Sequence, residues 1–461
     1  MTESLNGQRK PAFSDSAPAP GPSVFSHDYK SEPYWHEDIP NGLSSNVQLP
    51  STVDVLVIGS GYTGLHTALQ TTRAGRSTLI IDAGNLGEGC STRNGGQIST
   101  SIKPSVDLLA KKIGYERAQA IRNEGETALN WIEDFIQEES IDCDFKRNGR
   151  FHAAHTPSQY DIISREAEQV RKLEGVEAFN VPRSEQRSEL GTDAYHGGVV
   201  FPRHASLHAA KYHQGLLHAV LQAGASVVPH CSGESIKRIS DSGDHQFLVK
   251  TSKGFVKARD VMIATNGYTN EFTPWLQRRI IPIGSYIIAT EPLDPTLMNE
   301  LFPTDRIASD TCRVVYYYRA SPDRTRVLFG GRVSADETNP NVSGPQLHRQ
   351  MCRIFPQLEN SKISHSWAGM VGYTFDTMAH TGKHDGLYYA MGYCGSGVSM
   401  ASYLGRRAGQ KIIGDAAGKT AFDDLPFPSR PLYTGKPWFL PPVVSYYRWR
   451  DKMEYTKASQ P

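Results

Sequence analysis

The sequence predicts an α/β fold (α+β overall): a Rossmann-like nucleotide-binding domain interrupted by an inserted, mainly antiparallel β domain. Three observations carry that expectation. Residues 54–64 read DVLVIGSGYTG, and Asp82 stands 23 positions beyond Gly59. The middle of the chain, from Phe247 to Gly331, is a succession of β-like apolar runs. Near the C-terminus a second strand and glycine loop, LYYAMGYCGSG (387–397), lead into a helical pattern through Met400 to Ile413.

Each part of the first motif has a physical purpose. Gly59 permits the tight strand-to-helix turn, Gly61 lets backbone approach a pyrophosphate, and Gly64 lets the helix lie close to the strand. Tyr62 and Thr63 belong to the same turn, where free N–H groups face the phosphates. A second apolar run, Ser77 to Ile81, ends at Asp82 and Ala83, and the acid is placed to accept from a ribose hydroxyl. Strand, turn, helix, strand and acid fall in register, which a chance trio of glycines does not achieve.

The following elements read in order. Residues 83–97, AGNLGEGCSTRNGGQ, are too rich in glycine and small polar residues for regular structure. Ser105 to Gln137 carry helical apolar spacing, and 144–154 suggest a turn between two short strands. Leu207 to Ala223 read as a helix and Ala225 to Pro229 as a strand. Phe247–Lys250 and Phe255–Lys257 read as a hairpin, and Asp260–Asn266 as a buried strand. Ile280–Thr290 and Val314–Gly331 suggest longer strands, and Gln346–Phe355 a helix. The expected division is a disordered or extended segment (1–45), a discontinuous nucleotide domain (46–105, 195–270 and 365–425), a substrate domain (106–194 and 271–364), and a C-terminal tail (426–461).

Composition excludes several function classes. Lys plus Arg is 49 and Asp plus Glu 48, so no bulk charge favours nucleic acid or anionic lipid. No apolar run reaches 18 residues, so no membrane span is expected. The first residues lack the apolar core of a secretory signal. Six scattered cysteines without a Cys-x-x-Cys pair suit a reducing cytoplasm. His204, His208, His213 and His218 do not share one helical face, and no metal site is expected.

Three further segments narrow the reading: GCSTRNGGQ (89–97), VMIATNGYT (261–269), and the late loop Gly392-Tyr393-Cys394-Gly395-Ser396-Gly397. Together they resemble the D-amino-acid-oxidase superfamily of FAD-dependent oxidoreductases, and within it the γ-glutamylputrescine oxidoreductase type. The resemblance runs from about Val53 to Met453 and takes in Tyr317-Tyr318-Arg319, Phe329-Gly330-Gly331, and Trp367 with Gly369. It implies FAD held non-covalently by Gly59, Gly61, Tyr62, Thr63, Gly64, Asp82 and Ala83. Arg93, Asn94, Gly95, Gly96 and Gln97 would approach the ribityl chain and ring, and Gly395, Ser396, Gly397 and Val398 the pyrimidine end. Thr265 and Asn266 are further cofactor candidates, with an ordinary strand end as the alternative.

The implied reaction oxidises the C–N bond of a small amine in polyamine or amino-acid catabolism. A hydride passes to flavin N5, the imine is hydrolysed, and oxygen (giving hydrogen peroxide) or another acceptor takes the electrons. Candidate substrate-side residues are Tyr317, Arg319, Trp367, Tyr373 and Ser396. Tyr317 and Arg319 share a strand face, and a guanidinium there is suited to a substrate carboxylate; packing is the alternative for each aromatic. Two positions depart from the family pattern: Ser396 stands for its usual His and Cys394 for its usual Ser. They keep an N-methylated or D-amino acid (sarcosine, dimethylglycine or glycine type) as an alternative substrate. Cys90 and Cys394 are expected to be buried thiols rather than flavin tethers. An NAD(P)-dependent dehydrogenase would not need the late glycine loop.

Overall fold

A computed structural model describes residues 24–39, 48–172, 177–243, 245–331 and 339–458. Of the N-terminal segment expected to be disordered or extended, residues 1–23 and 40–45 lie outside the described residues.

Two sheets organise the chain. In the first, parallel strands Ser226–Val228, Thr78–Ile81, Thr52–Ile58, Gly254–Ile263 and Leu387–Met391 lie side by side in that order. Their Val, Ile and Leu side chains, partly buried Leu387 apart, are buried on both faces, as helix-covered parallel strands require. Phe247–Thr251, Gly233–Arg238 and His380–His384 add antiparallel edges. The expected hairpin strand and the expected buried strand prove to be one element, Gly254–Ile263. Its first half pairs antiparallel with Phe247–Thr251, and most of its length pairs parallel with Thr52–Ile58. The helix Tyr62–Arg73 packs against the late helix Gly397–Ile412.

The second sheet has nine strands and is mainly antiparallel. Its central members run Ile363–Tyr373, Ile281–Thr290, Val327–Gly331, Tyr317–Ala320, Ile307–Asp310, Arg150–Ala153 and Gly198–Phe201. Side chains alternate across it. Phe151, Tyr286, Ile288, Tyr318 and Phe329 fill a core on one face with Leu347 and Met351 of the helix Pro340–Ile354. The residues between them in sequence, Ser285, Tyr317, Ser309, His152 and Arg150, line a cavity on the other.

The expected domain limits shift in four places. The helices Val106–Ile113 and Tyr115–Glu138 join the nucleotide-side core through Leu109, Ala118, Ile121, Ala128, Leu129 and Ile132. Gly198–Phe201, and all of Ile363–Tyr373 from His365 on, expected in the nucleotide domain, are strands of the second sheet. Phe25–Lys30 pairs with Ile363–Tyr373, and Trp35 is fully buried, so residues 25–36 are folded rather than loose. The C-terminal tail holds a helix, Leu440–Ala458. Local apolar period reports which elements form; it does not report which sheet they join. Instead of two strands around a turn, residues 144–154 give one strand, Arg150–Ala153. Among the described residues no helix is long and apolar enough to cross a membrane.

Candidate active site

The glycine turn is built as its spacing requires. Gly59 has φ +108°, and a Cβ there would meet Ala264 O at 2.8 Å. A Cβ on Gly64 would lie 1.9 Å from Gly59 O, so helix and strand approach only because that atom is missing. Gly64 therefore acts through packing, while Gly59, Gly61, Tyr62 and Thr63 line the cavity. Asp82 Oδ2 accepts from Ser60 N (2.8 Å) and Ser60 Oγ (2.6 Å), and Oδ1 from Gly84 N (3.0 Å). A carboxylate has about four acceptor positions, which leaves room for one ribose hydroxyl. Ala83 lines the cavity beside it. The Tyr62 hydroxyl is held in the interior: it donates to Ser91 O (2.6 Å), lies 3.0 Å from Ala209 O and accepts from Asn94 Nδ2 (3.3 Å). Burial raises its phenol far above the ordinary range.

The loop 89–97 is held by its own side chains. Asn94 Nδ2 donates to Cys90 O (3.1 Å) and Ser91 O (3.0 Å), and Asn94 Oδ1 accepts from Gly96 N (2.9 Å). Gly96 (φ +63°) passes so close to Leu207 O that a Cβ would lie 2.2 Å from it. Arg93 Nε donates to Glu88 O (2.6 Å), and Gln97 Nε2 to Tyr318 O (3.1 Å). Arg93, Asn94, Gly95 and Gln97 line the cavity; Gly96 supports them from behind. Cys90 also lines it, its thiol donating to Met370 O (3.0 Å) and pushed up to about 12 by burial.

The late loop faces the first. Gly395, Ser396, Gly397 and Val398 line the cavity at the start of the helix Gly397–Ile412, whose leading N–H groups favour negative charge. Ser396 Oγ donates to Ser101 O (2.8 Å). Cys394 (φ +54°) points behind the loop, 3.6 Å from Thr374 Oγ1, and burial raises its thiol. Asn266 joins the ends of two neighbouring strands of the first sheet, its Oδ1 accepting from Gly392 N (2.9 Å), and both Thr265 and Asn266 line the cavity.

Two substrate-side candidates are corrected. Arg319 does share the face of Tyr317, but it is buried between sheet and loop. Its Nη1 donates to Gly96 O and Leu207 O (3.0 Å each) and its Nε to Ala320 O (2.9 Å). It braces the loop and does not line the cavity. Trp367 is likewise interior, donating from Nε1 to Arg93 O (2.9 Å). Strand parity places a residue on a face; it cannot tell whether a neighbouring loop covers that face. Tyr317 and Tyr373 do line the cavity. The Tyr317 hydroxyl lies 2.8 Å from Ser285 Oγ, and its ring is where a Cβ on Gly95 would meet it at 3.1 Å. Tyr373 Oη accepts from Lys103 Nζ (2.6 Å).

Sequence reasoning missed Lys103, Arg122, Arg150, His152, Ser285 and Ser309, which all line the same cavity. Arg150 and His152 carried a signal, an i, i+2 polar pair flanking buried Phe151; the rest belong to no motif. The cavity encloses about 1540 Å³. That exceeds an ordinary small-molecule pocket, ~300–1,000 Å³, and suits a dinucleotide with a substrate beyond it. The four histidines disperse: His213 Nε2 lies 2.7 Å from Ser60 O, and His208 Nδ1 accepts from Lys211 N (3.1 Å).

A model of the family described as FAD dependent oxidoreductase, DAO, matches residues 54–410. The chain is 30% identical over 408 residues to a Haemophilus influenzae protein named probable oxidoreductase OrdL, covering 87% of this chain and 92% of that protein. It is 29% identical over 405 residues to γ-glutamylputrescine oxidoreductase of Escherichia coli, covering 87% and 93%. Among solved structures, glycine oxidase from Geobacillus kaustophilus shares the fold with a TM-score of 0.68 at 18% identity, over 83% of this chain and 99% of that one. The family match spans the glycine turn, the facing loops and most of both sheets, and the chain belongs to the DAO family of FAD dependent oxidoreductases.

Proposed function

We propose that this oxidoreductase oxidises the C–N bond of an amine of the γ-glutamylputrescine kind. The carrying observation is the cavity that joins the nucleotide turn to a polar row on the second sheet, with Tyr373 and Lys103 beside Gly395 of the late loop and Tyr317 against Gly95. The name of the Escherichia coli relative supports the substrate class.

Bound FAD supplies the two-electron acceptor. Gly59 to Thr63 and Asp82 would hold its phosphates and ribose, and the loops 93–97 and 395–398 would take its ring end. The leading N–H groups of the helix Gly397–Ile412 would stabilise negative charge there. The Tyr317 and Tyr373 rings narrow the space for the carbon that loses hydrogen and exclude water from it. Lys103, bonded to Tyr373, disfavours a second cation nearby and so favours the neutral, reactive amine. Ser396, with its hydroxyl spent on Ser101 O, brings no imidazole to the ring, which keeps a small N-methylated or D-amino acid as the second reading.

The test is direct. The purified protein is mixed anaerobically with γ-glutamylputrescine, putrescine, sarcosine and glycine while the flavin band is followed. Bleaching by γ-glutamylputrescine at the lowest concentration is the expected result, and bleaching by sarcosine or glycine alone would replace the first reading by the second. Admitting air then tells an oxidase from a dehydrogenase by the rate at which colour returns.

A further inference from the structure

The far wall of the cavity holds two guanidinium groups with no acidic partner. Arg150 stands on the strand Arg150–Ala153 and Arg122 on the helix Tyr115–Glu138, and both line the cavity. Among the described residues no carboxylate lies within 4.0 Å of either. The acid nearest in sequence to Ser309, Asp310, alternates to the other face of its strand and accepts from Cys312 N (3.2 Å) and Tyr316 N (3.1 Å). Along the helix, Glu124 accepts from Thr420 Oγ1 and from Ala421 N (2.6 Å), and Glu126, one turn on, acts on Arg122 without contact.

Arg150 is aimed and fixed. Its Nε donates to Ser309 Oγ (3.0 Å), and its Nη2 contacts Ser309 Oγ and lies 3.1 Å from His152 Nδ1. Its Nη1 forms no hydrogen bond among the described residues, which leaves one edge of a rigid fork open. An enclosed cation without a counter-ion is costly, and burial does pull Arg150 down to about 10 and His152 to about 3. A protein keeps such a group where a ligand brings the missing charge.

We propose that Arg150, with Arg122 and His152, forms a subsite for a carboxylate carried on the substrate far from the oxidised amine. The spacing follows from the sheet. The Tyr317 hydroxyl is anchored at Ser285 and the Arg150 guanidinium at Ser309. Their strands, Ile281–Thr290 and Ile307–Asp310, are separated by Val327–Gly331 and Tyr317–Ala320. Three strand spacings are on the order of 14 Å. An α-amino acid, whose carboxylate sits beside the reacting carbon, does not reach both ends; a long amine with a terminal amino-acid head does. This inference rests on the amine reading above and selects between its two substrate classes.

The experiment uses the flavin-loaded protein with R150M and R150K. Half-saturation of anaerobic bleaching is measured with γ-glutamylputrescine and with 4-aminobutanoyl-putrescine, the same molecule without its carboxylate. R150M is expected to raise half-saturation at least tenfold for the first, to leave the second within twofold, and to leave the limiting bleaching rate within twofold, with R150K between. Equal shifts for both compounds, or none for either, overturn the subsite, as does preferential bleaching by glycine. If no amine bleaches the flavin, the substrate reading falls separately, and calorimetric titration with glutarate decides the subsite. Glutarate binding weakened at least tenfold in R150M sustains it; equal binding, or no binding to either protein, overturns it.

Discussion

Replacing Gly64 by Ala tests the nucleotide turn at its tightest point. The added Cβ would lie 1.9 Å from Gly59 O and 3.1 Å from Val57 Cγ1, and real Cβ atoms essentially never come within 3.0 Å. The helix Tyr62–Arg73 must therefore back away from the strand Thr52–Ile58 by roughly 1 Å, with a strain cost of ~1–3 kcal/mol. That movement shifts the N–H groups meant for the pyrophosphate. Losing two charge-assisted hydrogen bonds of ~1.5–3 kcal/mol each weakens FAD by more than about 100-fold, at ~1.4 kcal/mol per tenfold. Gly61→Ala is the control. Its Cβ would meet only Ser91 Oγ, at 2.9 Å, and a serine side chain can turn aside. G64A is expected to lose both FAD and thermal stability, and G61A to lose FAD affinity with a much smaller fall in melting temperature. FAD content by absorbance and melting by circular dichroism read the two effects. A G64A protein that keeps FAD within tenfold of the parent affinity would refute the reasoning.

Three other outcomes follow from the same geometry. R319M is expected to lower the melting temperature and loosen FAD, because Leu207 O loses its guanidinium partner, yet to leave glutarate affinity within twofold; a tenfold loss would return the substrate role to Arg319. Acid precipitation is expected to release all the flavin, since the Cys90 thiol is held protonated by burial and Cys394 turns away from the cavity; flavin fluorescence retained on the denatured chain would contradict this. Asp310 is raised by burial to about 7 from 3.8, so the folded state holds more protons than the unfolded between those values. Its contribution is complete below about pH 4 and declines as pH rises toward 7, with a slope of up to ~1.4 kcal/mol per unit. D310N is expected to flatten melting temperature against pH over that window; an unchanged slope would count against the raised carboxyl.

The sequence by itself determined the nucleotide half. Its glycines, Asp82 and the 93–97 loop sit within short segments where turn geometry and strand period are local constraints, so residue type and spacing suffice. It also determined the face of Tyr317 and Arg319, because alternation along a strand is local. Tertiary structure alone decided what covers that face. Arg319 meets the carbonyls of Gly96 and Leu207, residues more than a hundred positions away, whereas Arg150 opens on the cavity. The domain limits belong to the same class: Ile363–Tyr373 reads as a strand anywhere, and only its pairing with Ile281–Thr290 assigns it to the second sheet. Lys103 reaches Tyr373 across 270 residues, a contact that no local pattern encodes.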